Sequence, residues 1–194
     1  TFGPMAVTTD SLSLLPTAEF NGTVKISLKE VQVSSPSILG KDSTGAESIT
    51  ARILDTDLHA TAVGYNAGQY ITTGTDNTLT GYRAGSTITT GVNNTLTGSG
   101  AGKSISTGDN NTALGAFAGT YIETGVKNTL VGSKAGYALS RGSGNTIVGA
   151  EAGAALTYGD NNTISGFREG AAITTGNHNT LTGYMAGNAL TTGA

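Results

Sequence analysis

The sequence predicts an all-β fold, a parallel β-solenoid of about eight coils. A 17-residue unit repeats from Thr61 to Ala194 without insertions or deletions, and its eighth copy stops two residues short. Three glycines recur at fixed positions in every copy, and each copy opens with a short threonine-containing run. A fixed short period is typical of solenoids, in which each repeat forms one coil of a stack.

The repeat unit predicts where each coil has its corners and its β-runs. It reads T-h-x-G-x-x-A-G-x-x-[IL]-x-x-G-x-x-N, where h is Ala, Leu or Ile, and its positions are numbered 1 to 17. Glycines at positions 4, 8 and 14, such as Gly81, Gly85 and Gly91, disfavour a helix, where each costs about 1 kcal/mol relative to Ala. They suit corners, where φ is positive or backbones approach closely. Between the corners, residues 78–80 and 88–90 are predicted β-runs.

Three further positions predict the interior. Positions 2, 7 and 11 should point inward, and position 7 is Ala in every copy except for Glu169. The predicted core residues at position 11 are Ile71, Ile88, Ile105, Ile122, Leu139, Leu156, Ile173 and Leu190. A β-roll or β-prism of three chains, with the same positions facing a shared axis, is the alternative architecture.

Position 17 is Asn in all seven complete copies. Asn tolerates the left-handed conformation, and stacked amides can hydrogen-bond along a fibre axis. The sequence therefore predicts a corner ladder formed by Asn77, Asn94, Asn111, Asn128, Asn145, Asn162 and Asn179.

The N-terminal part of the chain departs from the repeat. Residues 1–43 are predicted to be a β cap, arm or attachment segment, with an alternating strand at 23–29. Residues 44–60 have the length of one unit and are predicted to form a degenerate entry coil before the solenoid of 61–194. The last coil lacks a polar cap. This predicts either head-to-tail stacking, with the N-terminal segment of one subunit covering the last coil of the next, or a natural chain that continues beyond Ala194.

Composition argues against several classes of function. The net charge is −3, only 12% of residues are charged, and no Lys/Arg cluster is present, so no nucleic-acid partner is expected. The chain has no cysteine, which excludes disulfides and thiolate metal sites. No apolar run reaches 18 residues, so no membrane span is expected.

Candidate chemical motifs are weak. Residues 98–104 resemble a phosphate-binding loop, but the first glycine is one residue too close to the Gly-Lys-Ser. Asp76, Asp109 and Asp160 are too sporadic for a calcium ladder, and His59 and His178 lack further ligands in the pattern. We expect no enzyme activity, no catalytic residues, no cofactor and no metal.

Exposed residues suggest two binding alternatives. Threonines at positions 12 and 13 could order water and bind ice, although Glu123, Arg141 and Tyr158 interrupt them. Aromatic residues recur at position 5 and could stack on glycans or pack against a neighbouring chain; they are Tyr65, Tyr82, Phe167 and Tyr184. N-glycosylation sequons begin at Asn21, Asn93, Asn110 and Asn161.

The segments 77–85, NTLTGYRAG, and 111–119, NTALGAFAG, resemble the NTAxGxxAG repeats of tail-fibre-type proteins. Such repeats occur in phage tail fibres and bacterial surface proteins, and the resemblance covers residues 61–194. It implies a structural subunit of an extracellular, cell-surface or virion fibre. The implied partner is the chain itself, as a head-to-tail filament or a trimeric fibre. A glycan-binding adhesin module or an ice-binding module is the alternative function.

Overall fold

A computed structural model of the chain describes residues 37–41, 47–54, 58–187 and 190–192. The described residues form ten strands of one sheet, in sequence order, and no helix. The strands are β1 Ser37–Lys41, β2 Glu47–Leu54, β3 Ala60–Val63, β4 Thr78–Thr80, β5 Thr95–Thr97, β6 Thr112–Leu114, β7 Thr129–Val131, β8 Thr146–Val148, β9 Thr163–Ser165 and β10 Thr180–Thr182.

Strands β3 to β10 are parallel and stack in register. Thr78 pairs with Thr95, Thr95 with Thr112, and each later strand continues the 17-residue step without a register shift. The eight strands enclose about seven turns. The predicted parallel β-solenoid with a 17-residue coil is therefore confirmed.

The core lies inside a single chain. In the coil that begins at Thr78, the side chains of Leu79, Ala84 and Ile88 are fully buried, and they represent positions 2, 7 and 11. Residues on either side of position 2 point outward because successive side chains of a strand alternate between its faces. Since each coil encloses its own core, the three-chain arrangement is not the architecture observed.

Each coil contributes one strand instead of the two predicted β-runs. Thr89 and Thr90 form a bend, and the N–H groups of Thr89, Thr90 and Gly91 all donate to the carbonyl of Ser106, at 3.0, 3.3 and 3.4 Å. A strand ladder requires successive N–H groups to find different carbonyls. The convergence on one oxygen explains why this run stays hydrogen-bonded to the next coil without forming a second sheet.

The predicted entry coil at 44–60 differs from the structure. Strand β2 runs antiparallel to β3, with Ala51 opposite Val63, and β1 is antiparallel to β2. The corner glycines of the repeat are replaced here by Glu47, Ala51 and Asp57 at positions 4, 8 and 14. Without those glycines the segment cannot turn the corners, and it continues as an eight-residue strand.

Only the end of this segment follows the coil. The carbonyl of Leu58 accepts the N–H of Asp76 at 2.8 Å, as the carbonyl of Thr75 accepts that of Asn93 one coil later. The predicted strand at 23–29 lies outside the described residues. Among the residues described, no helix is long and apolar enough to cross a membrane.

Candidate functional site

The asparagines of position 17 form a continuous ladder along the axis. The side-chain amide of Asn128 donates to Asn111 Oδ1 at 3.0 Å and to the carbonyl of Gly142 at 2.8 Å. Its own Oδ1 accepts the backbone N–H and the side-chain amide of Asn145, both at 3.0 Å. The same pattern links each asparagine to the next from Asn77 to Asn179.

The ladder lies in the interior of the protein. Asn128 is 0% exposed, and the other members are buried except for Asn179 at the last described coil, which is half-buried. Hydrogen bonds in a low-dielectric interior polarise one another, whereas an unpaired buried amide is costly. The ladder begins at Asn77 because Ala60 occupies position 17 of the preceding segment. Its role is therefore to join successive coils along the axis.

The corner conformation falls one residue earlier than predicted. Positive φ occurs at position 16, as in Asn93 at 57° and Lys127 at 58°, and not at the ladder asparagines. The side-chain amide of each ladder asparagine bonds along the axis inside the coil, and the residue before it makes the left-handed turn. Position 6 is also left-handed, with φ of 55° at Arg83.

The three glycine positions have different physical requirements. Gly81 has a φ of 128°, and a Cβ there would lie 2.6 Å from the carbonyl oxygen of Gly98. Gly85 has a φ of 54°, and its Cβ would lie 2.8 Å from Ile88 Cδ1 in the core. Gly91 has no positive φ, but its Cβ would lie 2.5 Å from the carbonyl oxygen of the next coil's Gly108. Position 14 is therefore glycine because two backbones approach closely.

Most predicted core residues of position 11 lie inside the coil. Ile88, Ile105, Ile122, Leu139, Leu156 and Ile173 are 0 to 1% exposed. Ile71, in the first coil, is half-buried and packs against the core. Leu190 differs from the prediction, since it is 40% exposed. Burial at this position requires a following coil, and the described residues include none beyond it.

Glu169 is a charged residue at position 7, which is alanine in every other copy of the repeat. It is 0% exposed, and neither carboxylate oxygen has a hydrogen-bond partner among the described residues. The other residues buried at position 7 are alanines, as in Ala152. A buried carboxylate without a partner destabilises a fold. The seventh coil therefore contains a local weakness in an otherwise repetitive core.

Side chains at position 15 make a second set of hydrogen bonds along the axis, which was not predicted from the sequence. Asp109 Oδ1 accepts the N–H of Val92 at 2.8 Å, and Asp160 Oδ1 accepts the N–H of Ser143 at 2.7 Å. Asn177 does the same for Asp160, and Ser143 Oγ for Val126 at 3.2 Å. A short polar side chain at this position satisfies a backbone donor of the preceding coil. The recurrence of Asp, Asn and Ser at position 15 was the available signal.

The candidate chemical motifs do not assemble into a site. The N–H groups of Gly100, Gly102 and Ser104 donate to backbone carbonyls of adjacent coils, so they are not available to a phosphate. Within the described part of the chain, no three His, Asp or Glu side chains lie close enough to hold a metal ion. His59 lies 3.8 Å from Asp76, and both side chains are more than half exposed.

The threonine hydroxyls of position 12 are already engaged. Thr72 Oγ1 donates to the carbonyl of Thr89 at 2.9 Å, Thr89 Oγ1 to that of Ser106 at 3.1 Å, and Thr174 Oγ1 to that of Thr191 at 3.0 Å. These hydroxyls stabilise the stack. At position 13, Arg141 and Tyr158 project among the threonines and are exposed. The position 12 hydroxyls are therefore engaged and the position 13 row is interrupted, and ice binding at positions 12 and 13 stays a prediction.

Exposed aromatic side chains form separate pairs. Tyr65 and Tyr82 stack with ring centroids 5.8 Å apart, and so do Phe167 and Tyr184. Between these pairs, position 5 holds Ser99, Ala116, Ser133 and Ala150, so the aromatic surface is interrupted. Glycan binding there stays a prediction.

A third aromatic pair lies on another part of the surface. The rings of Tyr121 and Tyr137 meet edge to face, with centroids 5.0 Å apart. A hydrogen bond with Tyr121, together with partial burial, raises the pKa of Tyr137 above its ordinary value. The pair is a packing contact between adjacent coils.

Three of the four predicted glycosylation sequons lie in the described part of the chain. Asn93, Asn110 and Asn161 are exposed and left-handed, so their side chains face solvent at the corner. Asn21 lies outside the described residues. Exposure makes the three sites sterically accessible, and their use stays a prediction.

Comparison of the chain with known protein families, with curated proteins and with solved structures finds no match. The resemblance to tail-fibre repeats therefore stays a prediction, and the functional argument depends on the geometry of the solenoid.

Proposed function

We propose that this chain is a structural subunit of an extracellular or virion fibre that self-assembles end to end. The observation that carries the proposal is the constant relation between successive coils, each of which repeats the strand, the corners and the buried amide of the coil before. A second copy placed beyond β10 could pair with the last described strand as each coil pairs with the next, because the pattern does not depend on which coil it follows.

The axial bonds of the rod suit a load-bearing role. The N–H of position 1 donates to the carbonyl of position 17 of the same copy, one full turn further along the chain, as from Thr129 to Asn145 at 2.8 Å. The N–H of Gly132 points the other way, to the carbonyl of Leu114 at 2.8 Å. Together with the asparagine ladder, these bonds connect coils in parallel at several corners, so a pulling force along the axis is shared among them.

The two outer strands of the described sheet are the proposed contact surfaces. Strand β2 already covers the first coil of its own chain, which leaves β1 outermost at one end and β10 outermost at the other. An exposed strand edge is a template for pairing with another chain. We therefore expect β1, which belongs to the N-terminal segment 1–43, to meet β10 of the next copy in a head-to-tail stack.

Electron microscopy of the full chain tests this proposal. The eight parallel strands of a single copy enclose about seven turns, which at about 4.8 Å each give a rod of about 34 Å. The fibre proposal expects filaments many times longer, with a uniform diameter. Isolated short rods at all protein concentrations would overturn it.

A pair of variants at β10 tests the contact surface. In the coil before, the N–H of Thr163 donates to the carbonyl of Asn179, so the N–H of Thr180 is the equivalent donor towards a following copy. Thr180→Pro removes this donor, whereas Thr180→Val retains it and preserves the branched side chain. We expect filaments from the valine variant and short rods from the proline variant. Filaments of equal length from both would exclude β10 as the contact.

A further inference from the structure

A second array of threonines lies on the outer face of the parallel sheet. We define the strand face as the side chains at positions 1 and 3 of β3 to β10, which point away from the core. Position 1 is threonine in every strand: Thr61, Thr78, Thr95, Thr112, Thr129, Thr146, Thr163 and Thr180. Position 3 contributes Val63, Thr80, Thr97, Leu114, Val131, Val148, Ser165 and Thr182.

The hydroxyls of the strand face are free, in contrast to those of position 12. Thr95 and Thr129 make no side-chain hydrogen bond within the described part of the chain, whereas Thr89 and Thr174 donate to a carbonyl of the next coil. The position 1 threonines are exposed, except for Thr112, which is half-buried. Each presents one hydroxyl and one methyl group to whatever lies outside.

The strand face is uncharged and regular. None of its residues is charged, although the whole chain has 10 basic and 13 acidic residues. Strands β3 to β10 pair without a register shift. The position 1 hydroxyls therefore repeat about every 4.8 Å along the axis. Position 3 lies about 6.6 Å across from them and carries a hydroxyl in four of the eight strands, at Thr80, Thr97, Ser165 and Thr182.

We propose that the strand face binds the surface of ice. Free hydroxyls at a fixed spacing along the position 1 row can hydrogen-bond to water molecules, and the methyl groups beside them and the apolar side chains of position 3 hold water in an ordered layer. An array with the periodicity of a water lattice can merge with that lattice. A rigid backbone supports this role, because the asparagine ladder and axial bonds hold each strand at a constant spacing.

Other occupants fit the strand face less well. It measures about 34 Å by about 10 Å. This is less than half of the approximately 800 Å² per partner that a stable protein interface buries. It has no charge to attract a charged partner and no aromatic ring to stack on a sugar. Ice, which is itself an extended repeating surface, requires neither.

The test is thermal hysteresis and partition into ice, measured with the full chain and two lysine variants. Thr129→Lys places a charge in the middle of the strand face, and Thr124→Lys places the same charge at exposed position 13, outside it. We expect the native chain to lower the freezing point and to enrich in ice. Thr129→Lys should reduce both about tenfold, since the ammonium group resists dehydration at the ice surface. Thr124→Lys should leave both close to native.

Circular dichroism checks that both lysine variants are folded, and we expect both to retain the native spectrum. Absence of hysteresis and of ice enrichment in the native chain would overturn the proposal, as would an equal loss in the two variants. A dimer in sedimentation experiments that Thr129→Lys dissociates would also overturn it, because the face would then be covered by a second copy. None of these results bears on filament formation through β1 and β10, which is measured separately.

Discussion

Removal of one central rung of the asparagine ladder gives the sharpest test of what holds the solenoid together. Asn128→Ala deletes two hydrogen bonds donated by the side-chain amide, to Asn111 and to the carbonyl of Gly142. It also deletes two bonds accepted by Oδ1, both from Asn145. At about 0.5–1.5 kcal/mol for each bond, the direct loss is about 2–6 kcal/mol.

Burial places the expected loss in the middle of that range. The backbone N–H of Asn145 and the carbonyl of Gly142 stay behind without their partners, in a site where Asn128 is 0% exposed. A buried unsatisfied group costs about 1–3 kcal/mol, partly offset by any water that enters. We therefore expect the free energy of unfolding to fall by about 3–5 kcal/mol. Chemical denaturation followed by circular dichroism measures this value.

The end of the same ladder provides a matched control. Asn179 donates to Asn162 Oδ1 at 2.9 Å and to the carbonyl of Asn177 at 3.1 Å, and it is only half-buried. Asn179→Ala should cost about 1 kcal/mol, because fewer bonds are lost and water reaches the site. Equal losses from Asn128→Ala and Asn179→Ala would refute the idea that buried axial amide bonds stabilise the rod.

Two further substitutions test the core and the corners by the same denaturation assay. Glu169→Ala should raise the free energy of unfolding by about 1–3 kcal/mol, because it removes a buried carboxylate without a partner. Glu169→Gln should give an intermediate increase in stability. A decrease in stability in both variants would contradict this account. Gly115→Ala should lower the free energy of unfolding by about 2–5 kcal/mol. Gly115 has a φ of 137°, and the new Cβ would lie 2.6 Å from the carbonyl oxygen of Gly132. The control Gly100→Asn should cost less, since Asn66 adopts a φ of 57° at the same repeat position and the new Cβ would meet the exposed ring of Phe117, 2.9 Å away, instead of backbone. Equal damage from both glycine variants would show that close approach to the neighbouring backbone is not the cause.

The repeat period was sufficient to predict the architecture. A unit that recurs without insertions places equivalent residues above one another, so the inward side chain of Leu79 had to meet Leu96, and Asn111 had to meet Asn128. Parallel pairing and the buried positions follow from this translation alone. The N-terminal part could not be predicted in the same way, because 44–60 matches the repeat in length but lacks its corner glycines.

The amino-acid sequence by itself determined the coil length, the inward positions and the residues of the axial ladder, because these depend only on periodicity and on which residue types tolerate burial or a corner. Only the tertiary structure decided which hydroxyls are free. Thr89 and Thr78 are the same type of residue in the same copy of the repeat, yet Thr89 donates to the next coil's carbonyl and Thr78 faces outward. The direction of a side chain depends on the local backbone conformation, which the repeat pattern does not contain.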